Sequence, residues 1–158
     1  MTKFDLIATG GTFDIIHKGH IELLKKAFEI SSNVIIGLTS DELAEKKGKK
    51  ITNDYSARLS SLISVIEQKF PGSTFRINKL ENDFGPAVLE EGVQAMVVSE
   101  ETSFQGEILN KLRDEKNLPS VKIVVVPMVL AEDGKIISTT RIRNSEIDYE
   151  GNLPSIDK

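Results

Sequence analysis

Gly10-Gly11-Thr12-Phe13-Asp14-Ile15-Ile16-His17-Lys18-Gly19-His20 follows the first apolar run of the chain, Phe4–Thr9, and decides how the rest is read. The run before it is short and apolar, as a strand buried on both faces is. The glycine pair lets backbone approach a ligand closely. The stretch is neither a G-x-G-x-x-G fingerprint nor a Walker A loop. It closes on His-x-Gly-His, where a predicted helix begins near Gly19 and buries Leu23, Leu24, Ala27 and Phe28. A helix N-terminus offers unpaired N–H groups and the positive end of a dipole, and both suit phosphate. His17 and His20 are three apart, so a first turn sets them on one face. Imidazoles there can donate to phosphoryl oxygens without a permanent charge, and Gly19 leaves room for a flat base or a phosphate. Two plainer readings compete: surface histidines that cap a helix, or a zinc pair. Zinc in a catalytic site wants a third protein ligand, and with no other His and no Cys only carboxylates remain. Both histidines of the chain share one four-residue window after a Gly-Gly turn, which favours a ligand site.

The same pattern of short apolar runs recurs at Asn33–Leu38, Thr74–Asn78, Ala95–Ser99 and Val121–Pro127. Helical patterns lie between them. Leu59, Leu62, Ile63, Ile66 and Phe70 fall on one face of a helix from about Ser56 to Phe70, ended by Pro71-Gly72. Another covers Phe104–Lys116 with Ile108, Leu109 and Leu112 inward. A short one follows Pro86, and a last one opens near Thr139 or Thr140, either of which can cap it. Alternating strands and helices predict right-handed crossovers and a parallel, three-layer α/β/α sheet of five strands. Ligands on such sheets bind beyond the carboxyl ends of the strands. One domain over residues 1–148 and a loosely ordered tail over 149–158 are expected.

The 158 residues suit one ordinary domain. With no Cys, disulfides, iron–sulfur clusters and thiol catalysis are excluded. A net charge of −4 argues against broad binding to nucleic acid or to membrane surfaces. No apolar run approaches the roughly 20 residues of a membrane span, and Met1 to Phe4 does not read as a secretory signal. A cytoplasmic protein is expected. Two motifs mislead. Asp83-Phe84-Gly85 spells the kinase magnesium motif, but no catalytic loop accompanies it and the chain is too short for a kinase. Lys46, Lys47, Lys49 and Lys50 beside Glu42 and Glu45 read as a solvated face or as a phosphate-binding run, with nucleic acid a distant third.

Gly11-Thr12-Phe13-Asp14 followed by His17-Lys18-Gly19-His20 resembles the signature of the HxGH nucleotidyltransferases, which have a Rossmann-like fold. Ile137-Ser138-Thr139-Thr140-Arg141-Ile142-Arg143 is similar to that superfamily's late Ser/Thr-rich motif. Taken alone it is an ordinary capped helix start with basic surface residues. Val97-Val98-Ser99-Glu100-Glu101-Thr102, then Phe104-Gln105-Gly106, resembles the archaeal-type phosphopantetheine adenylyltransferases and the matching domain of eukaryotic CoA synthase. Asp83-Phe84-Gly85-Pro86-Ala87 and Lys46-Lys47 fall where that branch carries similar residues, and the resemblance runs from Phe4 to Ile147.

The resemblance implies transfer of the adenylyl group of ATP to 4'-phosphopantetheine, giving dephospho-CoA and pyrophosphate. It implies an ATP site of Gly10, Gly11, Thr12, Phe13, His17, Gly19, His20, Ser99, Glu100, Ser138, Thr139, Thr140, Arg141 and Arg143, and an acceptor site of Thr12, Lys46, Lys47 and Asp83. His17, His20, Thr12, Lys46 and Lys47 are the implied catalytic set. His20 would contact the α-phosphate and leaving oxygens, His17 would steady the β/γ region, and Thr12 would hold the acceptor phosphate against the α-phosphate. Mg²⁺ would accompany ATP, held by phosphate oxygens and water, with no protein ligand named. The attacking phosphate is already an anion, so no general base is required. FAD synthetase, glycerol-3-phosphate cytidylyltransferase and nicotinamide mononucleotide adenylyltransferase share the histidine segment, and a non-catalytic nucleotide sensor could keep the fold. A monomer or a small homo-oligomer is compatible with everything read here.

Overall fold

The computed structural model describes residues 4–82, 84–85, 90–148 and 150–154. Five parallel strands form one sheet: β1 (Ile7–Gly11), β2 (Asn33–Thr39), β3 (Thr74–Leu80), β4 (Ala95–Ser99) and β5 (Lys122–Val126), in the order β3-β2-β1-β4-β5. The helices are α1 (Lys18–Ile30), α2 (Asp41–Lys46), α3 (Tyr55–Lys69), α4 (Phe104–Glu115) and α5 (Thr139–Arg143), with a 3₁₀ turn at Glu100–Thr102.

The pleat distributes the apolar runs to two faces. Ile7, Val34, Ile36, Leu38, Ala95 and Val97 point to one side and pack with Leu24, Ala27 and Ile30 of α1 and Leu62 and Ile66 of α3. Ala8, Ile35, Met96 and Val98 point to the other and pack with Leu109 of α4. Strands buried on both faces need near-continuous apolar sequence, which is why these runs do not alternate. The result is the expected three-layer α/β/α sandwich.

The strand order reverses at β1, so the turns after β1 and β4 flank the crevice where ligands bind in such sheets. The ladder itself opens there. β1 pairs with β4 only at Ile7–Ala95 and Ala8–Met96, whereas it pairs with β2 through Gly11–Leu38. Where the β1–β4 ladder stops, the buried Thr9 hydroxyl donates to the Val97 carbonyl at 2.9 Å.

Several boundaries differ from expectation for physical reasons. β1 starts later and runs through the glycine pair, because Gly10 lies opposite Gly37 of β2 and a Cβ there would come within 3.0 Å of the Gly37 carbonyl oxygen. α2 was not expected from the lysine-rich run; Ser40 caps it by accepting from Leu43 N–H, and Asp41 and Glu42 occupy its first turn. In α4 the inward stripe is Gly106, Leu109 and Arg113, with a Cβ at Gly106 colliding with Ile123, so Ile108 faces solvent at 46% exposure. Ser138, not a threonine, caps α5. The helix expected after Pro86 lies outside the described residues. Of the tail, Gly151 is buried against Ile137 and Ala131, and its carbonyl accepts from Glu132 N–H at 2.7 Å. Among the described residues no helix is long and apolar enough to cross a membrane.

Candidate active site

A cleft of about 860 Å³ opens at the carboxyl ends of the strands. Its floor is the turn after β1 and the first turn of α1. One wall is the loop over residues 47–50, and the other combines the end of β4, residues 126–129 and the start of α5.

The two histidines are fixed by the helix they start. His17 is the N-cap of α1, and its Nδ1 accepts from Gly19 N–H at 3.0 Å. His20, at the third helical position, reaches back so that its Nδ1 accepts from His17 N–H at 3.1 Å. This is a capping box in which two imidazoles take the places of Ser/Thr and Glu/Gln. An Nδ1 that accepts cannot carry the proton, so each neutral ring bears its proton on Nε2. The rings stack with centroids 4.0 Å apart. Burial pushes the His17 pKa down to about 4. Burial, then the charges of His17 and Lys49, push His20 down to about 3. Both rings are therefore neutral Nε2–H donors at physiological pH, in a cleft at a helix N-terminus.

Phe13 packs against His20. It is buried, holds φ at +50°, and places its ring 5.0 Å from that of His20. A left-handed non-glycine residue persists only where its surroundings enforce it, and such positions cluster at functional sites. Gly19 has a different role from the spacer expected. A Cβ there would lie 2.8 Å from His17 Cε1 and 3.0 Å from its Nδ1, so glycine is what lets the ring sit over the turn. In Gly19→Ala, the gain in helix propensity of about 0.5–1 kcal/mol and the loss of a cap worth roughly 1 kcal/mol nearly cancel. The melting temperature is therefore expected to hold within a few degrees while affinity for a phosphate-bearing ligand falls about 10-fold, because the displaced ring no longer aims its donor. Calorimetry of unfolding and of ligand binding on one preparation checks both halves.

The structure brings most of the expected residues into this cleft: Gly10, Gly11, Thr12, Phe13, His17, Gly19, His20, Lys47, Ser99, Ser138, Thr139, Thr140 and Arg143 line it. Thr139 is anchored through its hydroxyl to the Ile15 carbonyl at 3.3 Å, which ties α5 to the histidine turn. Three others sit elsewhere. Lys46 lines a separate shallow hollow with Glu42, Glu45 and Glu81. The Glu100 carboxylate accepts from Met128 N–H at 2.9 Å and holds the chain after β5. Arg141 is bound to Asp133 and to Glu146. Asp83 lies outside the described residues.

Other residues enter that were not singled out. Lys49 Nζ donates to Thr12 Oγ1 at 3.1 Å, and Lys50, Glu101 and Gln105 also line the cleft. Asp14 is 6% exposed. Burial raises its pKa, but N–H bonds from Thr52 and Asn53 and the Arg143 guanidinium more than offset this and leave it below the usual carboxylate value. Arg58 is fully buried and binds the carbonyls of Thr12, Thr39 and Asn53. Its signal in the sequence is a cation four residues before Leu62, on the apolar stripe of α3. Among the described residues no group of three or more His, Asp or Glu side chains is arranged to hold a metal ion.

Neutral donors, a helix N-terminus and lysines around a cleft at the switch point are what a site for transferring a phosphorus-bound group needs. Comparison with known proteins agrees. The chain belongs to the cytidylyltransferase-like family, whose profile matches residues 8–145. Within it, the chain belongs with phosphopantetheine adenylyltransferases of the archaeal type. It is 39% identical over 151 residues to the protein of that name from Methanothermobacter thermautotrophicus, covering 96% of this chain and 90% of that one. It is 43% identical over 150 residues to the one from Methanosarcina barkeri, covering 93% and 91%. A solved structure of a protein of unknown function from Archaeoglobus fulgidus superposes with a TM-score of 0.71 at 27% identity, over 78% of this chain and 89% of that one.

Proposed function

We propose that the chain transfers the adenylyl group of ATP to 4'-phosphopantetheine, releasing pyrophosphate and forming dephospho-CoA. The observation that carries this reading is the double imidazole cap, which presents two uncharged Nε2–H donors at the N-terminus of α1. The acceptor phosphate attacks the α-phosphorus of ATP, and the bond from that phosphorus to the bridging oxygen of pyrophosphate breaks. An anionic nucleophile needs no base, so catalysis rests on positioning and on stabilising charge. His20 donates to the α-phosphoryl and leaving oxygens, and His17 to the β/γ region. Thr12 and Lys49, already paired with each other, hold the acceptor phosphate together with Lys47. Ser138, Thr139, Thr140 and Arg143 face the departing pyrophosphate. Mg²⁺ carried in by ATP would be held by phosphate oxygens and water and would screen the charge of the triphosphate.

The test is pyrophosphate release from Mg-ATP with 4'-phosphopantetheine, run beside FMN, nicotinamide mononucleotide, and CTP with glycerol 3-phosphate. Release with 4'-phosphopantetheine alone is expected. Release with another acceptor instead, or ATP binding with no release, overturns the proposal.

A further inference from the structure

Three ligand-facing segments of the cleft are individually weak. The loop over residues 47–54 joins α2 to α3 and contains four consecutive exposed residues, Lys47 to Lys50. α5 is five residues long and buries none of them. The turn after β1 carries Phe13 in a left-handed conformation. All three converge on one carboxylate. Asp14 Oδ2 accepts from Thr52 N–H at 2.8 Å and from Arg143 Nη2 at 2.7 Å. Its Oδ1 accepts from Asn53 N–H at 2.9 Å and from Asn53 Nδ2 at 3.3 Å. The Asp14 carbonyl accepts from Asn53 Nδ2 at 2.9 Å. A buried carboxylate with this many donors fixes the geometry of everything around it.

Arg143 shows what that geometry is for. Its Nε donates to Thr52 Oγ1 at 2.8 Å, and its Nη2 donates to Asp14 and, at 3.0 Å, to the Lys50 carbonyl. Three of the five guanidinium N–H groups thus set the posture of the side chain. Nη1 makes no hydrogen bond among the described residues, and Arg143 lines the cleft. The fork is braced on one side, with the other left for a ligand.

We propose that Asp14 is a positioning residue that acts on both substrates at once, bracing Arg143 toward the triphosphate and the lysine loop toward the acceptor phosphate. This rests on the adenylyl-transfer reading above. It assigns Asp14 no contact with either substrate. It also distinguishes two routes. The ATP route runs through Arg143, which the Thr52 hydroxyl and the Lys50 carbonyl help to brace. The acceptor route runs through the backbone N–H groups of Thr52 and Asn53 to Lys47 and Lys49.

Asp14→Asn keeps the size of the side chain and removes its charge. Its KM for ATP and its KM for 4'-phosphopantetheine are each expected to rise about 10-fold, read as loss of charge-assisted positioning. In an Arg143→Ala background the same substitution should leave the ATP KM unchanged and still raise the acceptor KM. A purely structural defect would raise both in either background. Both KM values within two-fold of wild type in Asp14→Asn, or an undiminished effect on ATP in the double variant, overturns the proposal. Should Asp14→Asn fail to fold, Thr52→Val replaces it. That change removes the partner of Arg143 Nε from an exposed residue, and is expected to weaken ATP about three-fold with the fold intact; no change in ATP affinity overturns the proposal. Calorimetric titration with ATP alone runs in parallel. Wild type that binds ATP but turns over no 4'-phosphopantetheine removes the functional reading, and the Arg143 arm is then decided by ATP affinity.

Discussion

His20→Ala is expected to lower turnover about 10²–10³-fold, the usual cost of removing one donor aimed at developing charge. The size follows from what the ring is, not only where it is. With Nδ1 engaged by His17 N–H, the ring has one proton to give and one direction in which to give it. With its pKa pushed by burial to about 3, it stays an uncharged donor at neutral pH. Because the Ala variant also loses half of the capping box, His20→Glu is the control: a Glu at this helical position still reaches the N-cap N–H but has no proton to donate. It should keep the melting temperature of wild type and lose at least as much turnover. Protonation supplies an independent signature. Free His titrates near 6.5, while the folded rings do so at about 4 and about 3, so the unfolded chain binds more protons between these values. Stability is therefore full above about pH 6.5 and falls as the pH drops toward 3. In His20→Ala that acid-side loss should be shallower. Turnover within a few-fold of wild type, or imidazole ¹⁵N shifts that titrate near 6.5, would sink the assignment.

How much of this site was legible in the sequence depends on the scale of the interaction. The sheet was legible because burial on both faces forces near-continuous apolar runs in the inner strands β1, β2 and β4. At the edge, β3 alternates Phe75 and Ile77 with Arg76 and Asn78. The five runs mark the five strands to within a few residues. The cleft was legible because it lies at the switch point of that sheet, and the only two histidines of the chain sit there. What was illegible is whatever long side chains decide across the fold. Lys46 and Lys47 are adjacent in sequence, yet α2 ends between them, so one faces a separate hollow and the other the cleft. Arg141 and Arg143 are two apart on a helix, a spacing that sends their side chains in different directions. Arg141 meets Asp133, while Arg143 meets Asp14, 129 positions away. The role of Asp14 needed Thr52, Asn53 and Arg143 to be known as its neighbours, and no periodicity carries that. Gly19 was readable as a close approach, but the atom it approaches is a histidine of the same turn rather than a ligand.

The largest effect on stability is expected at Arg58, which is fully buried and does not line the cleft. Arg58→Met should lower the melting temperature by about 10 °C or more. The argument is an asymmetry between making and orphaning hydrogen bonds. Arg58 Nη1 donates to the carbonyls of Thr12 and Thr39, each at 2.8 Å, and Nε donates to the Asn53 carbonyl at 3.0 Å. Methionine fills the space of the stem and satisfies none of the three acceptors. A buried acceptor left unpaired costs about 1–3 kcal/mol, so the sum is on the order of 3–5 kcal/mol even with some water entering. For a chain of this size each kcal/mol shifts the midpoint by roughly 2–4 °C. The ion pair with Asp41 is the lesser part: its carboxylate is 40% exposed, and water can replace the guanidinium. Asp41→Asn should therefore cost about 1 kcal/mol or less, and molar salt should narrow that small difference while leaving the Arg58→Met deficit almost intact. Arg58→Lys should fall between, since an ammonium can reach one or two of the carbonyls but not span all three. The three carbonyls belong to the turn after β1, the end of β2 and the entry to α3, which are the segments that carry Thr12 and the lysine loop. Loss of stability and loss of affinity for both substrates should therefore appear together in Arg58→Met, with saturating ATP recovering part of the melting temperature by mass action. A midpoint within 3 °C of wild type would mean that the carbonyls find other partners, and that the loop geometry is held elsewhere.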